Sequence, residues 1–305
     1  MSSGARAVGI ANIAMDGTVL DTWFPSPELS LDDATSGTHR VSAHELSPKL
    51  LKLVGADHDR LVELVPVRTV IADLAAPPVD AHDVYLRLHL LSHRMVEPLT
   101  INMSGALEHL VPVVWTNKGP CLADNFETVR TNLRARGLIH VYGIDRLPRM
   151  VDYVVPSGVT IAEAERVRLG AYLAPGTSVM REGYVSYNAG SLGPARIEGR
   201  VSSAVVVGAG TDLALSSALM ASRVSEFERA PMRVGENCRL HPSAGVIGVD
   251  LGDRCEIGVN VMLEPETMVF DVAAGAQVPA SAIAGESDLR IQREPFSTSP
   301  VVRRA

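Results

Sequence analysis

The stretch that decides the fold spans residues 155–209, which read in blocks of six VPSGVT IAEAER VRLGAY LAPGTS VMREGY VSYNAG SLGPAR IEGRVS SAVVVG A. The first six blocks begin with an aliphatic residue, and the later ones begin with an aliphatic or small residue. The series is Val155, Ile161, Val167, Leu173, Val179, Val185, Ser191, Ile197, Ser203 and Ala209. A period of six is neither helical nor that of an alternating strand. It is typical of a parallel β-helix, in which each hexapeptide forms one face of a triangular coil and points one aliphatic side chain inward.

The same period returns further along the chain. It recurs in two series, Val234, Leu240, Val246 and Leu251, Ile257, Leu263, Val269. Between them and the first stretch, residues 213–232 lack the period, so we expect an insertion there that leaves the coil and serves binding. We predict a β-helix over 151–279, followed by a C-terminal tail over 280–305. A strand at 289–293 in that tail can cap the open end of the coil.

The first part of the chain has the pattern of a small α/β domain, which we place at residues 1–110. A hairpin is predicted within 7–20, a loop at 25–40 and a strand within 61–74. A helix is predicted over 81–96, with Asp80 as its N-cap.

Residues 111–150 are predicted to connect this domain to the coil and to contain a helix over 126–136. On the earlier helix, His89 and His93 have the i, i+4 spacing that metal ligands also use. With no glutamate between them and no third ligand nearby, core or partner-facing histidines are the better interpretation.

Composition excludes several classes of protein. The net charge of −7 argues against a nucleic-acid surface, which is expected to be basic. No apolar run approaches the roughly 20 residues that span a bilayer, and the N-terminus lacks a signal-peptide pattern, so we expect a cytoplasmic protein. Cys121, Cys238 and Cys255 lack zinc-type spacing; buried free thiols are expected, with a metal or catalytic thiol as the alternative.

Several motifs in this chain resemble tetrahydrodipicolinate N-succinyltransferases of the actinobacterial type, within the hexapeptide-repeat acyltransferases. The most specific are MREGYVSYNAG at 180–190 and IEGRVS at 197–202. Residues 67–73, LTIN at 99–102 and VWTNKGP at 114–120 are also similar. The resemblance extends from about residue 7 to residue 284 and is strongest before residue 212.

The resemblance implies a homotrimer of left-handed parallel β-helices, with active sites in grooves between neighbouring subunits. It implies transfer of a succinyl group from succinyl-CoA to the amine of ring-opened tetrahydrodipicolinate, a small amino-acid acceptor in lysine and diaminopimelate biosynthesis. By the same resemblance, Glu198 is the catalytic residue and Arg200 is associated with the acyl-CoA. Glu165 and Glu182 match acidic residues that hold Mg²⁺ or another divalent cation on the trimer axis.

The chemistry is consistent with that role for Glu198. An ammonium is not a nucleophile, so a carboxylate positioned by Arg200 could orient the amine and accept its proton. A covalent acyl-carboxylate intermediate is the second option. His241 is a further candidate base, but its surroundings do not match the motifs of histidine-dependent acyltransferases, and a structural role is expected.

This chain departs from the family where the coenzyme binds. Bulky and acidic residues, including Glu226 and Glu228, replace a glycine-rich run, and Ala221 matches the glycine beside the acyl group. Near the C-terminus only Arg293 keeps the positive charge of a phosphate-binding stretch. Acidic side chains near a polyanion cost affinity.

Three interpretations therefore stay open. The chain is the ordinary succinyltransferase, or a relative with an altered acyl donor or acceptor in a specialised pathway, or a non-catalytic trimeric β-helix protein that no longer binds CoA. The presence of Glu198 and Arg200 favours the first two.

Overall fold

The computed structural model describes residues 4–30, 35–42, 45–295 and 297–304. The chain forms two compact units, one of Met1–Leu90 with Thr100–Tyr153 and one of Leu91–Leu99 with Val154–Ala305. Both consist mainly of short strands. The finer division predicted from sequence, with boundaries at 110, 150 and 279, stays a prediction. The helices in the described part of the chain are all too short or too polar to span a bilayer.

The first unit contains two antiparallel sheets. The larger one comprises β1 (Gly4–Ala14), β2 (Val19–Trp23), β3 (Glu28–Ser30), β4 (Gly37–Arg40), β5 (Gly55–Asp57) and β6 (Val62–Ile71), with β1 and β6 at its centre. The smaller one comprises β7 (Val113–Thr116), β8 (Gly119–Leu122) and β9 (Val141–Asp145). The predicted hairpin is confirmed as β1 and β2, and the predicted strand within 61–74 as β6.

The loop expected over residues 25–40 is wrong at two short strands, while residues 25–27 and 35–36 are irregular as expected. The strand β3 pairs with β1 and β4 pairs with β6. Residues 31–34 of that prediction lie outside the described residues. Pairing with long neighbouring strands outweighs the weak strand propensity of this segment.

Three α-helices are present in the described residues: α1 (Pro48–Leu51), α2 (Ala81–Ser92) and α3 (Phe126–Arg134). Asp80 caps α2 as predicted, because its Oδ1 accepts a hydrogen bond of 2.8 Å from the Asp83 N–H. His89 is a core residue: its Nε2 accepts from the Phe24 N–H, and its Nδ1 lies 2.7 Å from the Tyr85 carbonyl oxygen. Both predicted helices are shorter at the C-terminal end than expected.

The second unit is a coil with three parallel faces. Face 1 begins with β10 (Thr160–Ile161), β12 (Ser178–Val179), β15 (Arg196–Ile197), β18 (Asp212–Leu213), β21 (Arg239–Leu240) and β23 (Glu256–Ile257). Face 2 comprises β11 (Ala171–Leu173), β14 (Ala189–Ser191), β17 (Val205–Val207) and β20 (Met232–Val234). Face 3 comprises β13 (Tyr184–Val185), β16 (Arg200–Val201), β19 (Ala218–Met220), β22 (Gly245–Ile247) and β24 (Met262–Leu263). Stacked parallel strands of this kind form a β-helix.

The period of six predicts the buried residues correctly from Val167 to Ile197, and then shifts. Val155 does not belong to the coil interior, because it is 79% exposed. After Ile197 the next buried aliphatic is Val201, four residues on. The later series is Val201, Val207, Leu213 and Leu219, all fully buried. The predictions for Ser203 and Ala209 are therefore wrong, since both are only partly buried.

The shift arises at one short corner, formed by Glu198, Gly199 and Arg200. A Cβ on Gly199 would lie 2.2 Å from the Ser217 Oγ and 2.4 Å from the Ser217 carbonyl oxygen. Only glycine fits so close an approach between adjacent turns of the coil. Glu198 and Arg200, on either side of Gly199, both line one groove on the outer surface.

Another corner of the coil contains a column of buried hydrogen-bond donors. The Thr211 hydroxyl donates to the Gly235 carbonyl oxygen at 3.0 Å, and the Cys238 thiol donates to the Gly252 carbonyl oxygen at 3.0 Å. Cys255 donates to the Glu286 carbonyl oxygen at 3.2 Å. All three cysteines are buried and free, as expected. Cys238 and Cys255 thus take the place that threonine has elsewhere in the column.

The insertion is shorter than predicted, and the tail returns to the coil. Residues 214–220 still follow the coil and end in β19, so only 221–231 leave it.

Beyond the hairpin of β25 (Met268–Asp271) and β26 (Ala276–Pro279), the tail forms β27 (Leu289–Gln292) and β28 (Val301–Arg304). Strand β27 pairs in parallel with β23, which adds the tail to face 1.

Candidate active site

The short corner opens onto a groove of about 610 Å³ on the outside of the coil. It is lined by Arg166, Glu182, Tyr184, Glu198, Gly199, Arg200, Leu215, Ser216, Ser217 and Ala218. Strands of adjacent turns supply these residues, since Tyr184 stands opposite Arg200 and Arg200 opposite Ala218 in the parallel register. The structure therefore brings three of the predicted residues together: Glu182, Glu198 and Arg200.

The carboxylate of Glu198 is held by Arg196 rather than by Arg200. Arg196 Nη2 donates to Glu198 Oε2 at 2.7 Å, and Arg196 Nη1 donates to Asp212 Oδ1 at 3.2 Å. These two carboxylates raise the pKa of the Arg196 guanidinium above its ordinary value. The expectation that Arg200 positions Glu198 is wrong because Arg196 and Glu198 flank the buried Ile197 and lie on the same outer side of the strand.

Arg200 is held instead by an aromatic ring. Its guanidinium carbon lies 4.2 Å from the centroid of the Tyr184 ring, a cation–π contact. Within the described residues no carboxylate forms a salt bridge with Arg200. A guanidinium stacked on a ring keeps its edge N–H donors available for an anionic ligand.

The two predicted metal ligands lie beside this groove. Glu165 and Glu182 line a second groove of about 250 Å³ together with Glu163, Arg166 and Arg181. Arg166 Nη2 lies 3.1 Å from Glu182 Oε2, and Arg181 Nε lies 3.2 Å from Glu163 Oε1.

One chain does not supply a cation site here. Within the described residues, no group of three or more histidine, cysteine, aspartate and glutamate side chains is arranged to hold a metal ion. Arg166 pairs with Glu182 and Arg181 pairs with Glu163, so part of the negative charge that a cation would need is already neutralised. The described residues of a single chain therefore do not fit a bound divalent cation.

The two residues predicted to bind the coenzyme, Ala221 and Arg293, lie outside the groove that contains Glu198. Ala221 is buried, and its N–H donates to the Ser202 Oγ at 3.3 Å. Arg293 is exposed and donates from Nε to the Asn260 carbonyl oxygen at 3.2 Å. Neither lines the groove around Glu198.

His241 forms a pair with a carboxylate on face 1. Its Nε2 lies 2.7 Å from Glu256 Oε1. Glu256 also forms an ion pair with Arg290, whose Nε lies 3.4 Å from Glu256 Oε2. His241 does not line the groove of Glu198, which agrees with the structural role expected for it.

The sequence interpretation missed Arg196, Asp212 and Tyr184. A signal for them existed, because each directly precedes an inward aliphatic, Ile197, Leu213 or Val185, and so points outward. The sequence could not reveal which residues pair between turns. The number of residues from Ile197 to its partner Leu213 differs from the number from Val179 to its partner Ile197.

Comparisons with known proteins identify relatives of this chain. A family model described as the middle segment of tetrahydrodipicolinate N-succinyltransferase matches residues 110–149. The 2,3,4,5-tetrahydropyridine-2,6-dicarboxylate N-succinyltransferase of Salinispora tropica is 45% identical over 214 residues, which cover 69% of this chain and 66% of that protein. The enzyme of the same name from Pseudomonas aeruginosa is 43% identical over 232 residues, 74% of this chain and 67% of that protein.

A solved structure shares the fold. It is that of a Campylobacter jejuni protein described as a 2,3,4,5-tetrahydropyridine-2-carboxylate N-succinyltransferase, with a TM-score of 0.82 and 21% identity. The match covers 99% of this chain and 92% of that one. The alignments span about two thirds of the length of both curated relatives. On the strength of these identities, the chain belongs to the tetrahydrodipicolinate N-succinyltransferase family.

Proposed function

We propose that this chain transfers the succinyl group of succinyl-CoA to the amine of ring-opened tetrahydrodipicolinate (2-amino-6-oxopimelate), in the cytoplasm, as a step of lysine and diaminopimelate biosynthesis. The observation that carries the proposal is the short corner of the coil. It places a carboxylate, Glu198, in one groove with an arginine, Arg200, that forms no salt bridge among the described residues. The relatives bear the name of this activity.

In the proposed mechanism, Glu198 is the catalytic base. Only Oε2 of its carboxylate is bonded to Arg196, so Oε1 is available to accept a proton from the acceptor's ammonium. The freed amine attacks the thioester carbonyl, and the tetrahedral intermediate expels the CoA thiolate, which takes the remaining proton from the nitrogen and leaves as the thiol. The proton on Glu198 is then released to solvent. In the alternative, the Glu198 carboxylate attacks the thioester and expels the CoA thiolate to form an acyl anhydride in the same groove. The amine then attacks the succinyl carbonyl of this anhydride and releases the Glu198 carboxylate.

Arg200 serves as the anion-binding group in this proposal. Both the succinyl chain and the dicarboxylate acceptor carry carboxylates, and a guanidinium can bind a carboxylate through two parallel hydrogen bonds. Because Tyr184 rather than an acid holds Arg200, no internal ion pair has to break when the substrate binds.

The assembly is part of the proposal as well. A homotrimer of left-handed coils would place a neighbouring subunit against the open groove, which lies on the outer surface of the coil. A divalent cation such as Mg²⁺ on the trimer axis would need Glu165 or Glu182 from several chains, because one chain does not provide enough ligands.

The test is an acyl-transfer assay with purified protein. Succinyl-CoA and 2-aminopimelate should release free CoA thiol, detected with a thiol reagent, and the succinylated product should appear by mass spectrometry. Glu198→Gln should lower kcat by about a hundredfold or more, because it removes the base and keeps the shape. A wild-type protein that releases no thiol, or a Glu198→Gln variant with full activity, contradicts the proposal.

A second candidate function is transfer from a different acyl donor, because the segment that departs from the family's coenzyme-binding pattern also differs from the rest of the coil. The segment 221–231 leaves the coil and carries the acidic Glu226 and Glu228. Titration calorimetry with succinyl-CoA and acetyl-CoA distinguishes the two functions. Tighter binding of succinyl-CoA supports the first function, and tighter binding of acetyl-CoA supports the second. No heat with either donor, from a folded protein, would favour a non-catalytic β-helix.

A further inference from the structure

The carboxylate of Glu198 has three arginines within reach of its groove, but it contacts only one. Arg166 and Arg200 line the groove with it, whereas Arg196, in β15 of face 1, is not among the lining residues. The contact is to Arg196, at 2.7 Å. Glu198 keeps 28% of its side-chain surface exposed, so the carboxylate is held at the groove rather than buried.

Each of the other two arginines is occupied by a different partner. Arg200 stacks on the Tyr184 ring, and Arg166 bonds Glu182 at 3.1 Å. A Glu198 carboxylate released from Arg196 would therefore have two guanidinium groups nearby. Pairing with Arg200 would neutralise the base and the anion-binding group at the same time.

Arg196 is itself held in place by the charges stacked along face 1. In the parallel register, Arg196 is followed by Asp212 and then by Arg239 on successive turns. Asp212 accepts from Arg196 at 3.2 Å through Oδ1 and lies 3.6 Å from Arg239 through Oδ2. Asp212 thus keeps the second branch of the Arg196 guanidinium turned away from Glu198.

We propose that Arg196, fixed by Asp212, is the positioning residue that keeps the Glu198 carboxylate facing its substrate and away from Arg200. This inference rests on the proposed function, in which Glu198 is the base. Arg196 binds no substrate in this role. It acts by restricting Glu198 to one conformation with one oxygen available for the amine.

The test compares Arg196→Met with Arg290→Met. Arg290 lies on the same face and makes a similar ion pair, 3.4 Å to Glu256, but it does not contact Glu198. Arg196→Met should lower kcat by about tenfold or more, with a smaller rise in KM for the acceptor, because the base is misplaced more than binding is weakened. Arg290→Met should leave kcat unchanged. Equal losses of kcat in both variants, or no loss in Arg196→Met, would overturn the inference.

Two further measurements separate positioning from folding and from the proposed function itself. Ethylguanidinium added to Arg196→Ala should restore part of kcat, and it should not restore Glu198→Gln. A crystal structure of Arg196→Met should show the Glu198 carboxylate turned towards Arg200 or Arg166. If it stays in its present position, the inference fails even where wild-type activity is absent, and absent wild-type activity by itself overturns only the proposed function.

Discussion

At the scale of single residues, Gly199 determines where the candidate site lies. It occupies the middle of the corner where the spacing between inward aliphatics falls from six residues to four. The Arg200 N–H donates to the Ser217 carbonyl oxygen at 2.7 Å, so that oxygen cannot move away without breaking a hydrogen bond between turns. The same oxygen would lie 2.4 Å from a Cβ at position 199.

We therefore expect Gly199→Ala to displace Glu198 and Arg200 together. The overpacked corner should cost about 1–3 kcal/mol of stability, and acyl transfer should fall by about tenfold or more. Gly143→Ala is the matched control, because a Cβ there meets no atom within 4 Å. Thermal unfolding and the transfer assay measure both effects, and a Gly199→Ala variant as active and stable as Gly143→Ala would contradict this account of the corner.

At the scale of elements, the buried donor column explains the two cysteines of the coil. Cys238 donates to the Gly252 carbonyl oxygen, as Thr211 on the preceding turn donates to the Gly235 carbonyl oxygen. A thiol in this position replaces a hydroxyl, and no metal or catalytic role is required for it.

The matched pair Cys238→Thr and Cys238→Val tests this role. Threonine and valine have the same shape, but only threonine keeps a donor for the carbonyl oxygen. We expect Cys238→Val to be less stable than Cys238→Thr by about 1 kcal/mol, measured by denaturant or thermal unfolding. Equal stability of the two variants would show that the donor does not matter.

In the first unit, the strand β5 ends in an ion-pair cluster that responds to acid. Asp57 is bonded by Arg60 Nε at 2.7 Å and by Arg136 Nη1 at 2.8 Å. Burial raises the pKa of this carboxyl, but the hydrogen bonds from Arg60 and Arg136 outweigh it and hold the pKa at about 2, below the ordinary value of 3.8.

A lowered pKa in the folded state means that Asp57 stabilises the fold above about pH 4. That contribution should be lost as the pH falls from about 4 to about 2. Asp57→Asn should be less stable than the wild type at pH 6 and should show a smaller fall in melting temperature between pH 4 and pH 2. If the melting temperatures of both proteins fall equally between pH 4 and pH 2, Asp57 is not the group responsible for this loss of stability.

At the scale of the whole molecule, the assembly and the cation can be tested together. We expect a trimer of about three times the 32.5 kDa chain mass by light scattering. Because Arg166 already neutralises Glu182, chelation with EDTA should leave this trimer intact. Dissociation by EDTA that is reversed by Mg²⁺ would instead support a cation held by Glu165 and Glu182 of several chains.

The sequence predicts most of the coil but only part of the site. Residues such as Val179, Val185 and Leu240 are predicted to be inward and are fully buried. The pairing of Glu198 with Arg196 was not predictable, because it depends on a guanidinium that also bonds Asp212 on the next turn.

What the sequence by itself determines is the repeated part of this protein. The period of six, a local property of the chain, specifies the parallel coil and its inward residues from Val167 to Ile197. What only the tertiary structure decides is the short corner at Gly199, the choice of Arg196 rather than Arg200 as the partner of Glu198, and the return of β27 to face 1. The physical reason is that a repeat pattern records which side of a strand each residue faces, whereas hydrogen bonds and ion pairs between turns depend on the number of residues in every intervening corner.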